Sequence, residues 1–520
     1  MTQRFPTTDV RNDLENAFDW IARVIGQWFE IDLRALAAFR ISLGLLLIAD
    51  LALRARNLGA FYTDSGVLPR EALFSDYTNV YSLHALSGEA WVQSVLFCLA
   101  GAFALAMTVG YRTRIATIAS WLLLVSLHIR NPMVLNSGDV LLRMLLFWGV
   151  FLPLDERWSV SAGHSEGNRT TVASIATMAL LLQVVLMYTT NTIHKFRGEL
   201  WRNGEALVHI MSADQFTLLL GNTLAEYHTL LELFNHLWLV LILLSPLLFI
   251  LTGRARVILP TLFVGMHLGM LVTLQIGLFP LVVVAALIPF YPPVVWDFVN
   301  SLITQLGLAD ALRAQRERIG SLCPPKSSLP ASFDAPDIPT FSSVLSGGRT
   351  LFFTAIPYLM LVLVVMSNAQ AVDYTEVPDP GEQVLETTQA DQSWRMFAPS
   401  PARTTRWFAA PADLENGSTI DVLHRSRVDL ERPEHVESTF ESARWRKYLS
   451  NVQSADNENH ESYLANHLCK DWNSDHDTDV TTVRIYHMYE LVDPYADKTK
   501  AKGEVELLEY DCSGDFVQED

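Results

Sequence analysis

Cysteine is scarce in this chain, with four in 520 residues, and the patterns that gather thiols or imidazoles around a metal are missing. There is no CxxC, no HExxH and no pair of histidines four apart on one helix, so no metal centre is expected. Nor is there a GxSxG elbow or a glycine-rich phosphate loop. Charged residues make up only 18% of the chain. No internal repeat stands out, which gives an inverted-repeat transporter no support. A secretory leader is also missing: the first apolar run starts near residue 35 with no small-residue cleavage site before it, so the first span is expected to direct insertion itself.

What the chain has in excess is long apolar runs. Half of its residues are hydrophobic and its mean hydropathy is +0.21, too apolar for a soluble globule and suited to a polytopic membrane protein. The charge is unevenly placed. Residues 371–520 hold 31 Asp and Glu against 14 Lys and Arg, a balance of −17 out of the total −18. So acidic a tail excludes nucleic acid and anionic lipid as its partners, and matches the solvated surface that a salty habitat favours.

The runs predict an all-α polytopic membrane protein of about nine transmembrane helices with a C-terminal extramembrane α+β domain. Residues 1–32 form an N-terminal segment in which 14–31 read as an amphipathic interfacial helix. The membrane part covers 33–370, with spans near 33–53, 91–110, 114–129, 140–154, 172–187, 230–251, 256–274, 276–291 and 350–368, and a polar linker at about 300–348. Arg40, inside the first span, is expected to snorkel. In the domain at 371–520, Asn416-Gly417 marks a hairpin, 480–492 and 503–511 read as strands, and helices fall near 438–450 and 460–472. Cys469 and Cys512 share that domain and are a disulfide candidate if it faces an oxidising compartment. With the N-terminus inside and nine spans, the inside segments carry 15 Lys and Arg and the outside loops 7. That bias places the protein in the cell membrane with a cytoplasmic N-terminus and an extracellular C-terminal domain.

Three places can carry chemistry. The stretch Tyr188 to Gly204, YTTNTIHKFRGELWRNG, puts His194, Lys195, Arg197, Glu199 and Trp201 where lipid gives way to water; Lys195 is either an interfacial anchor or the start of a site. The turn Asn136-Ser137-Gly138-Asp139 is either a tight surface hairpin or a cavity wall, and Asp139 can pair with Arg143 at i, i+4. His267, inside an apolar run, needs a partner or a wet cavity, as an interhelical hydrogen bond or as a functional group; His236 has the same two roles open.

Taken together, three segments resemble vitamin K-dependent gamma-glutamyl carboxylases and their broader relatives, the HTTM (horizontally transferred transmembrane) domain proteins. They are the Tyr188–Lys195–Trp201–Gly204 stretch, the H-x9-G-x-F-P spacing from His267 to Pro280, and Trp394-Arg395-Met396-Phe397 against the family's W-x-M-M element. The resemblance covers roughly residues 30–400. It implies an integral membrane enzyme, a quinone-dependent lyase, in which lysine deprotonates a reduced naphthoquinone of the menaquinone or vitamin K type. With O2 and CO2 as co-substrates, that chemistry carboxylates a glutamate of a secreted or membrane protein. By position, Lys195 is the implied base and His267 supports it or orients the quinone, while Asn136, Ser137, Asp139, His194, Trp201 and Phe279 line the quinone site. The base role needs an amine that is neutral near pH 7. The chain departs from the carboxylases in having Gly138 where their polar-loop histidine falls, with His128 reaching the site only from another place, and in a shorter tail. Two other classes fit the same fold: a non-catalytic membrane scaffold or binding protein, and a lipid or solute transporter.

Overall fold

In the computed structural model, which describes residues 26–160, 169–322, 351–495 and 501–518, the apolar runs become helices and the acidic tail becomes a sheet flanked by helices. The first helix, α1 (Leu33–Ala55), starts at Asp32, whose side chain accepts from the Arg34 backbone N–H and satisfies a donor that the helix itself cannot. Helix α2 (Ala90–Val109) stops at Gly110, which takes the left-handed conformation (φ +78°) that a side chain would oppose. Then come α3 (Thr113–Arg130), α4 (Ser137–Val150), α5 (Ile175–Arg197), α6 (Glu199–Asn203), α7 (His228–Leu243), α8 (Ile258–Thr273), α9 (Phe279–Leu287), α10 (Pro293–Gln305), α11 (Leu308–Leu322) and α12 (Ile356–Ala371). Almost every residue of α4 is buried, which makes it the central post of the bundle.

Helices form at all nine expected places, but length and composition qualify fewer of them to cross a membrane. Five do so: Leu33–Ala55, Ala90–Val109, Ile175–Arg197, Gly253–Thr273 and Phe352–Ala371. A sixth is gained if Phe279–Phe290 and Pro293–Gln305, bent by 104° at their break, are one span. Helix α4 has 14 residues and α7 has 16, against the roughly 20 that a bilayer core takes. Arg40 does not snorkel. It is buried and donates to the carbonyls of Leu154, Arg157 and Trp158, because the segment just beyond the end of α4 turns these backbone acceptors towards it. The start of the supposed polar linker is helical, since α10 and α11 run through to Leu322. Most of the 14–31 helix and the rest of the linker lie outside the described residues.

The tail folds as an antiparallel sheet of β1 (Thr404–Ala409), β2 (Pro411–Leu414), β3 (Thr419–Asp421), β4 (Val480–Leu491) and β5 (Ala501–Asp511), with α13 (Ala443–Ser454) and α14 (Asn459–Asp475). β4 is central: β5 pairs along one side, β1 and β2 in succession along the other. The predicted hairpin is β2–β3, with Gly417 at φ +79° in its turn. A disulfide joins Cys469 of α14 to Cys512, next after β5, as expected. The domain shares its core with the membrane part. Phe61, in the short helix Leu58–Tyr62 after α1, packs against Trp445 and Tyr448 of α13 with ring centres 4.8 and 5.9 Å apart.

Candidate functional site

Tyr188, Asn191 and Lys195 follow at i, i+3 and i+7 on α5, so they share one face of the helix. All three are buried. Opposite that face runs the strap Ser393–Phe397, whose carbonyls are bound one after another from α5 and α6. His194 Nε2 donates to Ser393 O (3.1 Å), and Asn191 Nδ2 donates to Trp394 O (2.9 Å) and Arg395 O (3.1 Å). Lys195 Nζ donates to Met396 O (3.0 Å), and Trp201 Nε1 to Phe397 O (3.0 Å). Lys195 Nζ also lies 3.3 Å from the centre of the Trp201 ring. Among the described residues it forms no ion pair with a carboxylate. Trp394, Met396 and Phe397 hold positive φ (48°, 33° and 63°), a conformation that costs a non-glycine residue roughly 1–3 kcal/mol; the five side-chain bonds offset it. Gly198 lets the strap leave, because a Cβ there would come within 1.9 Å of Pro399 O.

Behind the strap lies a cavity of about 560 Å³, within the usual range for small-molecule sites. Lys195, His267, Asn136, Ser137, Trp201 and Phe279 all line it. Four helix ends meet there: the C-terminal ends of α5 and α8, and the starts of α4 and α9. His267 Nδ1–H donates to Phe263 O (2.8 Å), which leaves Nε2 as the acceptor nitrogen. Tyr188 stacks on Phe263 at 4.2 Å, and its buried hydroxyl has no hydrogen-bond partner among the described residues. Trp238, Met270, Leu274 and Phe279 make the wall largely apolar.

Two residues expected at the site are elsewhere. His194 holds the strap and does not line the cavity. Asp139 caps α4, accepting from the Asn136 N–H (2.8 Å), and then enters a buried lattice of two carboxylates and two guanidiniums. Arg54 bridges Asp50 (2.7 Å) and Asp139 (2.5 Å); Arg444, from α13, bridges the same two at 2.6 and 2.9 Å. The expected Asp139–Arg143 pair is not made. With Asp139 already saturated by Arg54 and Arg444, Arg143 reaches His128 Nδ1 instead (3.0 Å), and His128 itself stays in this cluster, outside the cavity lining. His236, the other membrane histidine with an open role, binds the Glu232 carbonyl of its own helix.

The C-terminal domain closes the cavity with α13, whose Ala443, Arg446, Lys447 and Ser450 face it. Arg446 donates to Gln275 O (2.9 Å) and lies over the Phe216 ring at 4.5 Å. Burial lowers Arg446 to about 10, so it stays cationic at neutral pH; burial and the neighbouring Arg446 also lower Lys447. Arg395 adds a third cation to the rim and Asp391 an acid. The model of the HTTM domain matches residues 28–296, slightly more than half of the chain and every membrane residue named above from Asn136 to Phe279. The chain belongs to the HTTM domain family. Among curated proteins and among solved structures, nothing matches it. The HTTM segment thus supplies the floor of the site, while the strap and α13, which complete it, lie beyond the matched residues. Sequence reasoning missed Asn191, Arg446 and Lys447. Asn191 was signalled by the polar triplet Thr190–Thr192 inside an apolar helix, and the other two by the basic run ARWRK in a tail otherwise so acidic.

Proposed function

We propose that this membrane protein performs lysine-centred chemistry on a reduced naphthoquinone, coupled to carboxylation of a glutamate in a protein substrate. The observation that carries this is the convergence of Lys195, His267, Asn136, Ser137, Trp201 and Phe279 on one cavity from four separate segments. The cavity's chemistry fits the group: Trp238, Met270 and Phe279 offer faces for a flat apolar ring, and the unpartnered Tyr188 hydroxyl and the His267 acceptor nitrogen offer bonds to ring oxygens. When bound, the hydroquinone supplies, with O2, the strong base that removes a γ-proton from glutamate before CO2 adds. Lys195 takes the proton from a ring hydroxyl, using the lone pair of a neutral amine while an N–H donates to Met396 O. His267 orients the ring through Nε2. Arg446, Lys447 and Arg395 draw the substrate carboxylate to the rim. The strap and α13 exclude water from above.

On this topology α3, α4 and α7 cross beside the five long helices, and Phe279–Phe290 completes nine spans. The C-terminal domain then faces the extracellular side, where its disulfide is at home. The test is mass spectrometry of cell proteins for glutamates that have gained carbon dioxide, compared between cells with the protein, without it, and with Lys195→Ala. Modified glutamates only with the unaltered protein support the proposal; identical spectra reject carboxylation. A second function, binding an amphiphile without chemistry, is favoured by one observation: Lys195 already donates to Met396 O. Saturable quinone binding with no turnover would select it, whereas solute flux into liposomes in the absence of quinone would select transport.

A further inference from the structure

Helix α11 carries an apolar face that no part of the described chain covers. None of its residues is buried, and Leu312 and Leu322 are 56% and 79% exposed. At about 100° per residue, Leu308, Ala311, Leu312, Ile319 and Leu322 fall in one sector about 100° wide, interrupted only by Gln315. Arg316 and Arg318 stand at the two edges of that sector, while Asp310 and Glu317 lie opposite. A solvent-exposed helix of 15 residues is marginal in water by itself, so this face needs a cover.

Its place in the fold indicates the cover. Helix α10 leaves the apolar segment Phe279–Phe290 at 104°, so it lies across the spans rather than along them. It is tied to the starts and ends of other membrane helices at one level. Arg34, at the start of α1, pairs with Asp297 (2.7 Å); Trp296 packs on Trp158, beyond α4, at 5.9 Å; and α10 contacts Gly253–Val257, at the start of the fourth long helix. A side chain at Gly320 would meet Val160 at 3.9 Å, which keeps α11 at that same level. On α10, Phe298 is 68% exposed and Leu302 and Leu306 continue its apolar side. Arg34, Arg254 and Arg256 share this end of the bundle with Arg313, Arg316 and Arg318. It is the end opposite the cavity.

We infer that α10–α11 is an in-plane membrane-surface element whose apolar face enters the lipid interface and whose arginines bind anionic phospholipid headgroups. Arginines at the edges of the sector can snorkel to phosphate while Leu308, Leu312 and Ile319 sit among acyl chains. The inference does not depend on what the cavity does.

The test uses the full chain in nanodiscs, with Cys98 and Cys323 changed to serine and single cysteines introduced as Leu308→Cys, Leu312→Cys, Ile319→Cys, Asp310→Cys and Glu317→Cys. Each is labelled with an environment-sensitive fluorophore, in phosphatidylcholine alone and with added phosphatidylglycerol. Probes at 308, 312 and 319 are expected to be quenched by shallow lipid-attached quenchers and protected from iodide; those at 310 and 317 are expected to show the reverse. Phosphatidylglycerol should deepen the first group, and R313E/R316E/R318E should abolish that lipid dependence. Iodide reaching position 312 as readily as 317 overturns the inference. So does protection of 312 from both quenchers, which would mean that protein, such as a second copy, covers the face. Insertion unaffected by phosphatidylglycerol would overturn the headgroup part.

Discussion

Two groups of buried polar side chains lie at the same end of this bundle and differ in how completely they are satisfied. Around Asp139 two carboxylates meet two guanidiniums, and Tyr62 donates its place in the lattice by accepting from Arg54 (2.7 Å). Among the described residues, the partners around Lys195 are one carbonyl and the face of an indole, and the nearby Tyr188 hydroxyl has none. The carboxylates of the first group are each held by two guanidiniums, and the group serves to key α13 into the membrane helices. The unsaturated group is the one with valences to spare, and it faces the cavity. Conserving charge balance locally is architecture; leaving donors and acceptors open in an apolar wall is what binding and chemistry require.

The contrast can be broken most severely at the lattice. Asp139→Leu leaves Arg54 and Arg444 without one of their two acids, and removing one member of a buried ion pair costs about 3–5 kcal/mol. Unfolding in detergent should show that loss together with exposure of α13 to proteolysis; a wild-type midpoint would mean that the lattice does not hold the domain. Opening the disulfide with Cys469→Ser and Cys512→Ser should cost about 2–4 kcal/mol, confined to the C-terminal domain, with quinone binding retained. Loss of quinone binding in this variant would erase the distinction between the domain's own stability and its docking.

A smaller and finer test is pH. Burial, aided by Arg406, holds His487 at about 4, so between about 6.5 and 4 the unfolded chain binds a proton that the folded one refuses. The domain should therefore lose stability as pH falls through that window, and His487→Gln should flatten the loss. His424 runs the other way: although burial opposes it, the hydrogen bond to Asp421 (2.9 Å) and that carboxylate's charge raise it. Its contribution is full below the ordinary histidine value and disappears as pH rises through the raised one, so His424→Gln should matter in mild acid and not in base. Unfolding midpoints measured from pH 4 to 8 check both signs.

Much of the site was legible in the sequence because its parts sit where apolar runs stop. Lys195 ends a hydrophobic helix and His267 interrupts one, and a polar group there needs a reason, while Trp201 and Phe279 were legible through the family motifs. The strap was legible as a motif, though not as a cover. Asp139 was misassigned to Arg143 because i, i+4 spacing is visible in a sequence, whereas Arg444 arrives from about 300 residues away. The same distance hid Arg446 and Lys447. Arg40 looked like a snorkelling residue because the carbonyls that bind it belong to the chain beyond α4, more than a hundred residues on. The β2–β3 hairpin followed from Asn416-Gly417, a local signal, while the strand order, set by pairings of β4 with strands about 70 residues away, and the span count did not, since α4 owes its burial to neighbours and not to its own length.

The most direct test of the central claim is to compare wild-type protein with Lys195→Ala in nanodiscs, measuring the unfolding midpoint, the binding of a reduced naphthoquinone and quinone-dependent turnover on the same samples. If Lys195 is the base, the midpoint stays close to wild type while turnover falls about 10²–10⁴-fold, the range of a lost general base. Full turnover in Lys195→Ala would contradict the account.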